Sequence, residues 1–535
     1  MATLWQIAFA SAPKILAAVV TAVLLITFLN LIRRIFSTAS LPSNLPWAGV
    51  GKLDNCLGRA KSNLTSIFHL KRLLDEGYTK YSKNDKTYVL PYFINGPQVV
   101  LPPSQISWLM EQADDVLSQE LVNREFLQAD YAFFHANMVD NPVHPDIIQH
   151  QLTKKLGNFT DDIADEVLAG LEEYWGTDTE EWREVKVYDT MLPIISRMSI
   201  RVFMGRELCR DETFTSICGN YIRKVALTAA AISLFPNFLK PFVGPIFTVF
   251  DYILYRRCRS FLMPIIRERL SELRRPDALK IAPEDPQGRN DYVQWALDHA
   301  FAKPIVNPVE FDPRVIASRF SVLAFAAIQS SVITLTNTIF DLAASSECAE
   351  SLITMRKEVL DVAEGSTATI WSKAALSRMT HIDSALRESL RLNGFVERGI
   401  MKKVVAPEGV TLPDGSHIPC GTKVGVSGYS IHHDEANYAG ANRYDAFRFA
   451  RGQETEEKKR PQGLVNTSDI FMSFSHGSHS CPGRFFAANQ LKIALGHIAL
   501  LYDIEPIPNR PANKWFFGHI APPLTETLRV RRRKM

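Results

Sequence analysis

Apolar residues return every three to four positions through most of the chain between Ile67 and Arg275, which predicts a succession of amphipathic helices. Phe159–Tyr174 and Phe250–Leu273 are two such stretches. Pro264 stands inside the second, and a kink or break is expected there because proline removes an i→i−4 hydrogen bond. The helical pattern stops at Arg275-Pro276, and Pro283–Gly288 reads as a polar loop. From Pro313 to about Ala344 nearly every face is apolar, the mark of a buried central helix rather than a surface one. Strand signals gather later. Val410–Pro419 carries Asp414-Gly415 in a turn between β-prone runs, a hairpin cue. No repeat period is visible, and the fold class expected is mainly α with a small β region.

One apolar run differs from the rest. Ile15–Ile32 is eighteen residues without a charge, long enough for a spanning helix. Lys14 precedes it, whereas Arg33 and Arg34 follow with Lys52, Arg59 and Lys61 close behind, which places the C-terminal side in the cytosol. A cleaved signal peptide, with Ser37, Ala39 and Ser40 near the cleavage point, is one rival reading. The run exceeds the usual apolar core of such a peptide and has its basic residues on the wrong flank. A core helix is the other rival. Residues 1–34 are therefore read as a membrane anchor, residues 35–50, with Pro42 and Pro46, as a stiff hinge, and residues 51–535 as the catalytic body.

Composition changes this picture little. The 535 residues are 46% hydrophobic and 22% charged, which suits a large globular core and excludes a mainly disordered or polytopic membrane chain. Sixty Lys+Arg against 57 Asp+Glu leave +3, no footprint for nucleic acid. The dense basic run Arg529, Arg531, Arg532, Arg533 and Lys534 reads as a solvated tail. Seven cysteines with no C-x-x-C suggest neither a disulfide framework nor a zinc ribbon, so the body is expected in a reducing compartment.

The candidate chemistry lies at Phe474–Ala488. Cys481 sits just before an apolar-periodic helix, Pro482 suits a first-turn position, and Gly477 and Gly483 permit a tight turn and close backbone approach. A thiolate there gains from the helix N-terminus, which is expected to lower its pKa. Those are the requirements of a single thiolate ligand to haem iron. A buried structural cysteine, or a zinc site built from His476, His479 and Cys481, are the alternatives.

At these residues the chain resembles the cytochrome P-450 superfamily, whose haem signature is F-x-x-G-x-[RH]-x-C-x-G. Phe474, Gly477, His479, Cys481 and Gly483 fill its fixed places. The resemblance implies haem b with Cys481 as axial ligand and His479 at a propionate. It extends upstream: Glu388 and Arg391 match the family's E-x-x-R helix, Arg448 in Asp445–Phe449 completes a structural triad, and Ile431–Asp434 resembles its I-H-x-D segment. In the long helix, Ala326–Ser331 occupies the place of the oxygen-activation motif A-G-x-[DE]-T-[TS], with Gln329 for the acid and Ser330 for the threonine. Glutamine orients water but gives up no proton, so Gln329 and Ser330 are catalytic candidates whose proton delivery departs from the family.

By the same resemblance the chain is a haem-thiolate monooxygenase using O2 and electrons from NADPH through a separate reductase. It is expected in the endoplasmic reticulum membrane, single-pass, with a cytosolic catalytic domain. Ala132–Asn141, the 320s, Asn393–Met401 and Trp515–Ile520 would face an apolar substrate. Phe325–Ser331 together with Phe474–Leu495 look like fungal members of secondary metabolism, including those acting on terpenoid skeletons. A reductase-independent rearrangement enzyme and a non-catalytic haem protein are the alternatives.

Overall fold

The computed structural model describes residues 2–534 except 37–40, 52–54, 95, 136, 274–288, 304–306, 365–369, 396, 455–461 and 517–518. The signal-peptide cleavage point, the expected helix stop at Arg275-Pro276, the polar loop Pro283–Gly288 and Phe517 lie outside the described residues. The chain forms two compact units that interleave in sequence, Met1–Ala132 with Ala226–Phe250 and Met401–Val426, and Phe133–Val225 with Asp251–Ile400 and Ser427–Met535.

The first unit holds a five-stranded sheet, ordered Tyr88–Leu90, Gln98–Val100, Lys423–Gly425, Met401–Val404 and Leu117–Ser118. Its strands Gln98–Val100 and Lys423–Gly425 are buried, polar Gln98 and Lys423 included, and Lys423 pairs with Glu125 at 2.8 Å. The predicted hairpin is present beside it: Val410–Thr411 pairs with His417–Ile418, and Gly415 takes a φ of 83° at the turn. That positive φ is why the Asp-Gly pair is needed there. The N-terminal apolar run is helical from Ala2 to Phe36. Its window Pro13–Phe36 has a mean hydropathy of 2.7 and is only 6% buried. The other helix apolar enough to span, Pro313–Ala343, is 61% buried and belongs to a core.

The connection after the N-terminal helix is not a free hinge along its whole length. Leu45, Trp47, Ala48 and Val50 are buried, and Trp47 forms a parallel bridge to Val89 through Ala48 N–H to Val89 O and Val89 N–H to Pro46 O. Apolar side chains with paired backbone groups add one more strip to the sheet edge. Arg34, at the end of the helix, donates to the carbonyls of Ile94, Ser233 and Phe235.

The second unit is mainly helical. Thr160–Trp175 and Val187–Met204 pair, and Val187–Met204 packs on the central helix Pro313–Ala343. Asp312 caps that central helix by accepting the Arg314 N–H, with Pro313 at the first turn. Val249–Leu273 runs through Pro264 without a break. Leu262 and Ile266, buried on either side, offset the one hydrogen bond that proline removes.

The basic C-terminus is also different from expectation. Thr527–Arg532 is the middle strand of a three-stranded sheet, between Arg183–Lys186 and Tyr502–Ile504. Leu528 and Val530 alternate inward, Arg529 between them pairs outward with Glu505 at 3.0 Å, and Arg532, on the same face as Leu528 and Val530, meets Glu172 at 3.2 Å. The period-two pattern was masked in the sequence by its density of charge.

Candidate functional site

Cys481 lies at the end of a loop that closes on itself. Its N–H donates to Phe474 O at 2.8 Å, and the turn between them needs left-handed backbone at Ser475 (φ 59°) and Gly477 (φ 77°). Gly477–His479 then makes one short 3-10 turn, and the following helix runs Arg484–Leu501 with Gly483 as its N-cap. Pro482 therefore precedes the helix rather than opening it. A Cβ on Gly483 would stand 3.9 Å from Cys481 Sγ, an ordinary contact, so this position lies directly beside the sulfur.

Burial pushes the Cys481 thiol up, against the N–H groups of Gly483 and Arg484 and the Arg484 guanidinium, which pull it down. The helix-start donors expected from the sequence are present, but burial outweighs them. A bound metal cation reverses that balance, because a coordinated thiol is deprotonated outright.

The rest of the donor set decides which metal group fits. Among the described residues no three His, Cys, Asp or Glu side chains gather around a common point. His476 is engaged elsewhere, with Nδ1 2.8 Å from Thr467 Oγ1 and Nε2 3.4 Å from Asp469. That counts against a zinc site and suits a metal that brings its other ligands with it, as haem does.

The helix after Cys481 rests on the central helix through Gln490: its Oε1 is 3.4 Å from Ser331 Oγ, and its Nε2 donates to Ser199 Oγ at 2.8 Å. On the central helix the residues flanking the candidate motif are fully buried, yet Ala326 is exposed and Phe325, Ala327, Gln329 and Ser330 are half-buried. A small residue at the open point of an otherwise enclosed helix is the groove expected beside a flat cofactor. The Ser330 hydroxyl donates to Ala326 O at 2.8 Å, and Gln329 Nε2 donates to Tyr188 Oη at 3.4 Å.

Glu388, Arg391 and Arg448 come together. Arg391 Nε and Nη2 each meet a Glu388 oxygen at 2.8 Å, and Arg448 Nε meets Glu388 Oε1 at 3.0 Å. Glu388 and Arg391 are wholly buried, so this pair is not one of the solvated i,i+3 pairs of small effect. The two guanidinium groups also bind loop carbonyls: Arg391 those of His432 and Ala441, Arg448 those of Ala439, Gly440 and Arg443. The helix Thr380–Asn393 thus pins residues 432–443. His432 returns the favour by accepting the Met472 N–H at 3.0 Å, two residues before Phe474.

Sequence reasoning passed over two side chains that hold this assembly. Arg387, next to Glu388, is buried against the Phe471 ring at 3.6 Å and donates to Gly463 O and Asn466 O at 2.6 and 2.7 Å. Its place four residues before Arg391, on the same helical face, was the available signal. Asp341, near the end of the central helix, is buried and accepts from Arg510, Ser389 at 2.6 Å and Asn393 at 2.8 Å. Nothing in its local sequence marks it, because its partners lie far along the chain.

Among the expected substrate-facing aromatics, Phe133 meets Phe325 edge-on at 6.4 Å, Phe134 lies 5.1 Å from Tyr255, and Trp515 meets Tyr429 at 5.0 Å.

The chain matches the family model "Cytochrome P450" over residues 121–524. It is 31% identical over 506 residues to cytochrome P450 monooxygenase gloP of Glarea lozoyensis, covering 91% of each chain. It is 32% identical over 508 residues to cytochrome P450 monooxygenase polB of Polytolypa hystricis, covering 92% of this chain and 94% of the relative. Cytochrome P450 monooxygenase 103 of Postia placenta is 33% identical over 472 residues, 87% of this chain and 89% of that one. In fold, the chain resembles the crystal structure of the cytochrome P450DA heme domain with a TM-score of 0.65 at 14% identity, over 92% of this chain and 98% of that one. The loop geometry at Cys481 and the full-length matches agree, and the chain belongs to the cytochrome P450 family as a monooxygenase.

Proposed function

We propose a membrane-anchored haem-thiolate monooxygenase that oxidises an apolar small molecule of terpenoid type in secondary metabolism, with electrons from NADPH delivered by a separate reductase. The observation that carries this reading is the Cys481 loop. A half-buried thiol faces helix-start N–H donors beside two glycines, just before a helix that meets the central helix at Ser331, next to the opened strip.

In this assignment Cys481 is the axial ligand and His479 reaches a propionate. Phe474, Gly477 and Gly483 shape the cradle, while Glu388, Arg391 and Arg448 lock the segment beneath it. Bound there, the haem supplies the oxygen chemistry, in which one atom of O2 enters the substrate and the other leaves as water. Ser330 and Gln329 handle protons and water on the opposite wall. With its hydrogen committed to Ala326 O, the Ser330 oxygen keeps lone pairs for a water donor.

Residues 1–34 anchor the protein in the endoplasmic reticulum membrane, with the catalytic body, residues 51–535, in the cytosol, joined through residues 35–50. Two features support contact with lipid. The Pro13–Phe36 window is only 6% buried. Phe238, Phe242, Ile246 and Phe250 are exposed in the same unit, just past the carbonyls that Arg34 binds. Such a surface suits an enzyme whose substrate concentrates in the bilayer, since burial of apolar area drives both partitions.

The test is haem spectroscopy of the purified protein with a panel of terpenoids, fatty acids, sterols and polyketides, followed by turnover with and without reductase and NADPH. A spectral shift with a terpenoid, and product only when reductase and NADPH are present, supports the proposal. A shift confined to another class overturns the substrate assignment. Conversion without reductase overturns the electron route.

A further inference from the structure

Gln329 takes the position of a carboxylate it cannot imitate, and its surroundings show what stands in. Its Nε2 donates to the Tyr188 hydroxyl oxygen at 3.4 Å, across from the central helix to Val187–Met204. Its Oε1 is buried and has no hydrogen-bond partner among the described residues. A buried acceptor without a donor is destabilising, so such atoms ordinarily hold an ordered water. Tyr188 accepts from Gln329, which leaves its own O–H hydrogen for another acceptor. The unused acceptor and the unused donor thus belong to two groups already in contact, close enough for one molecule to bridge them.

The Tyr188 ring is buried, with the Arg223 guanidinium 5.9 Å from its centroid, and Arg223 pairs at 3.7 Å with half-exposed Asp189.

We propose that Tyr188 and Gln329 together hold one buried water, and that Tyr188 is the positioning residue of the proton supply in which this chain lacks the family's carboxylate. The inference deepens, and rests on, the reading of Gln329 and Ser330 given above. The water is donated to by Tyr188 Oη and donates to Gln329 Oε1. Tyr188 and Gln329 keep their own protons throughout and fix only the place and orientation of the water.

Two measurements on the haem-loaded full chain test this. The first is a crystal structure at a resolution that shows internal waters, for the parent and for Tyr188→Phe. A water bonded to both Gln329 Oε1 and Tyr188 Oη in the parent, and lost in the variant, is the expected result. A dry parent site overturns the proposal, whether or not any substrate is known. The second is the partition of NADPH between product and peroxide. Tyr188→Phe should lower product per NADPH by roughly tenfold, the scale of losing an outer positioning group, with the substrate spectral dissociation constant unchanged. A variant that merely loosens the fold would lose haem and substrate affinity together without shifting the partition, and an unshifted partition overturns the positioning role. If the parent turns over no compound tried, the functional reading fails and the crystallographic result alone decides the water.

Discussion

The Glu388 carboxylate is the most heavily committed group near the site. It meets two guanidinium groups and also accepts the Asp445 N–H at 3.3 Å, with no access to water. Removing one partner of a buried ion pair strands the other, at about 3–5 kcal/mol. Glu388→Gln should therefore lower stability on that scale and lose haem during purification. Circular dichroism melts and the haem-to-protein absorbance ratio would read this, and a variant with parental melting and haem content would remove the triad from the account. Two buried histidines and the half-buried His144 set a second residue-scale expectation. Burial pushes His432 down from its ordinary 6.5 to about 3, and His144 and His497 each to about 4. Between those values and 6.5 the unfolded chain binds protons that the folded chain does not, so this stability is complete above about pH 6.5 and drains away as pH falls toward 3. Melting temperature should fall as pH drops from 7 to 5. Replacing His497, which is stacked on Trp371, by Gln should flatten part of that slope. An unchanged slope in the variant would mean that other groups carry the acid sensitivity.

At the scale of elements, the N-terminal helix has two parts with different jobs. The exposed apolar stretch belongs to lipid in the proposed reading, while Arg34 and Ile35 belong to the body: Arg34 binds three carbonyls, and Ile35 O accepts from buried Asn63 at 2.9 Å. A truncation removing residues 1–32 should release much of the protein from membranes with its haem spectrum and melting intact. Removing residues 1–36 should also cost stability, by about 1–3 kcal/mol for the bonds to charged Arg34. Equal melting of the two truncations would show that the contact carries no weight. Elements set by local chemistry were legible in the sequence: the central helix, the Asp-Gly hairpin and the thiol loop each carry their own signal within a dozen residues. The continuity of Val249–Leu273 through Pro264 and the C-terminal strand were not, because packing on both sides overrode the proline and distant carboxylates neutralised the arginines that hid the alternation of Leu528 and Val530.

At the scale of the whole molecule, the two units interleave so that no cut in the sequence separates them, which is why a reading by segments saw one body from residue 51 onward. The residues of the candidate haem site, from Tyr188 through the central helix to Cys481, all fall in the second unit. The candidate ligand, the triad residues and the strip at Ala326–Ser331 each carry a motif in the sequence. Arg387, Asp341 and Tyr188 emerged only from the fold, since each acts through partners brought together by tertiary packing. All of these groups converge on one claim, that Cys481 is a thiolate ligand to haem. The most direct measurement is the carbon-monoxide difference spectrum of the reduced protein, parent against Cys481→Ser. The account predicts the band of a thiolate-ligated haem in the parent and its loss in the variant, because an alcohol is a poor ligand in place of a soft thiolate. The same band persisting unchanged in Cys481→Ser would contradict it.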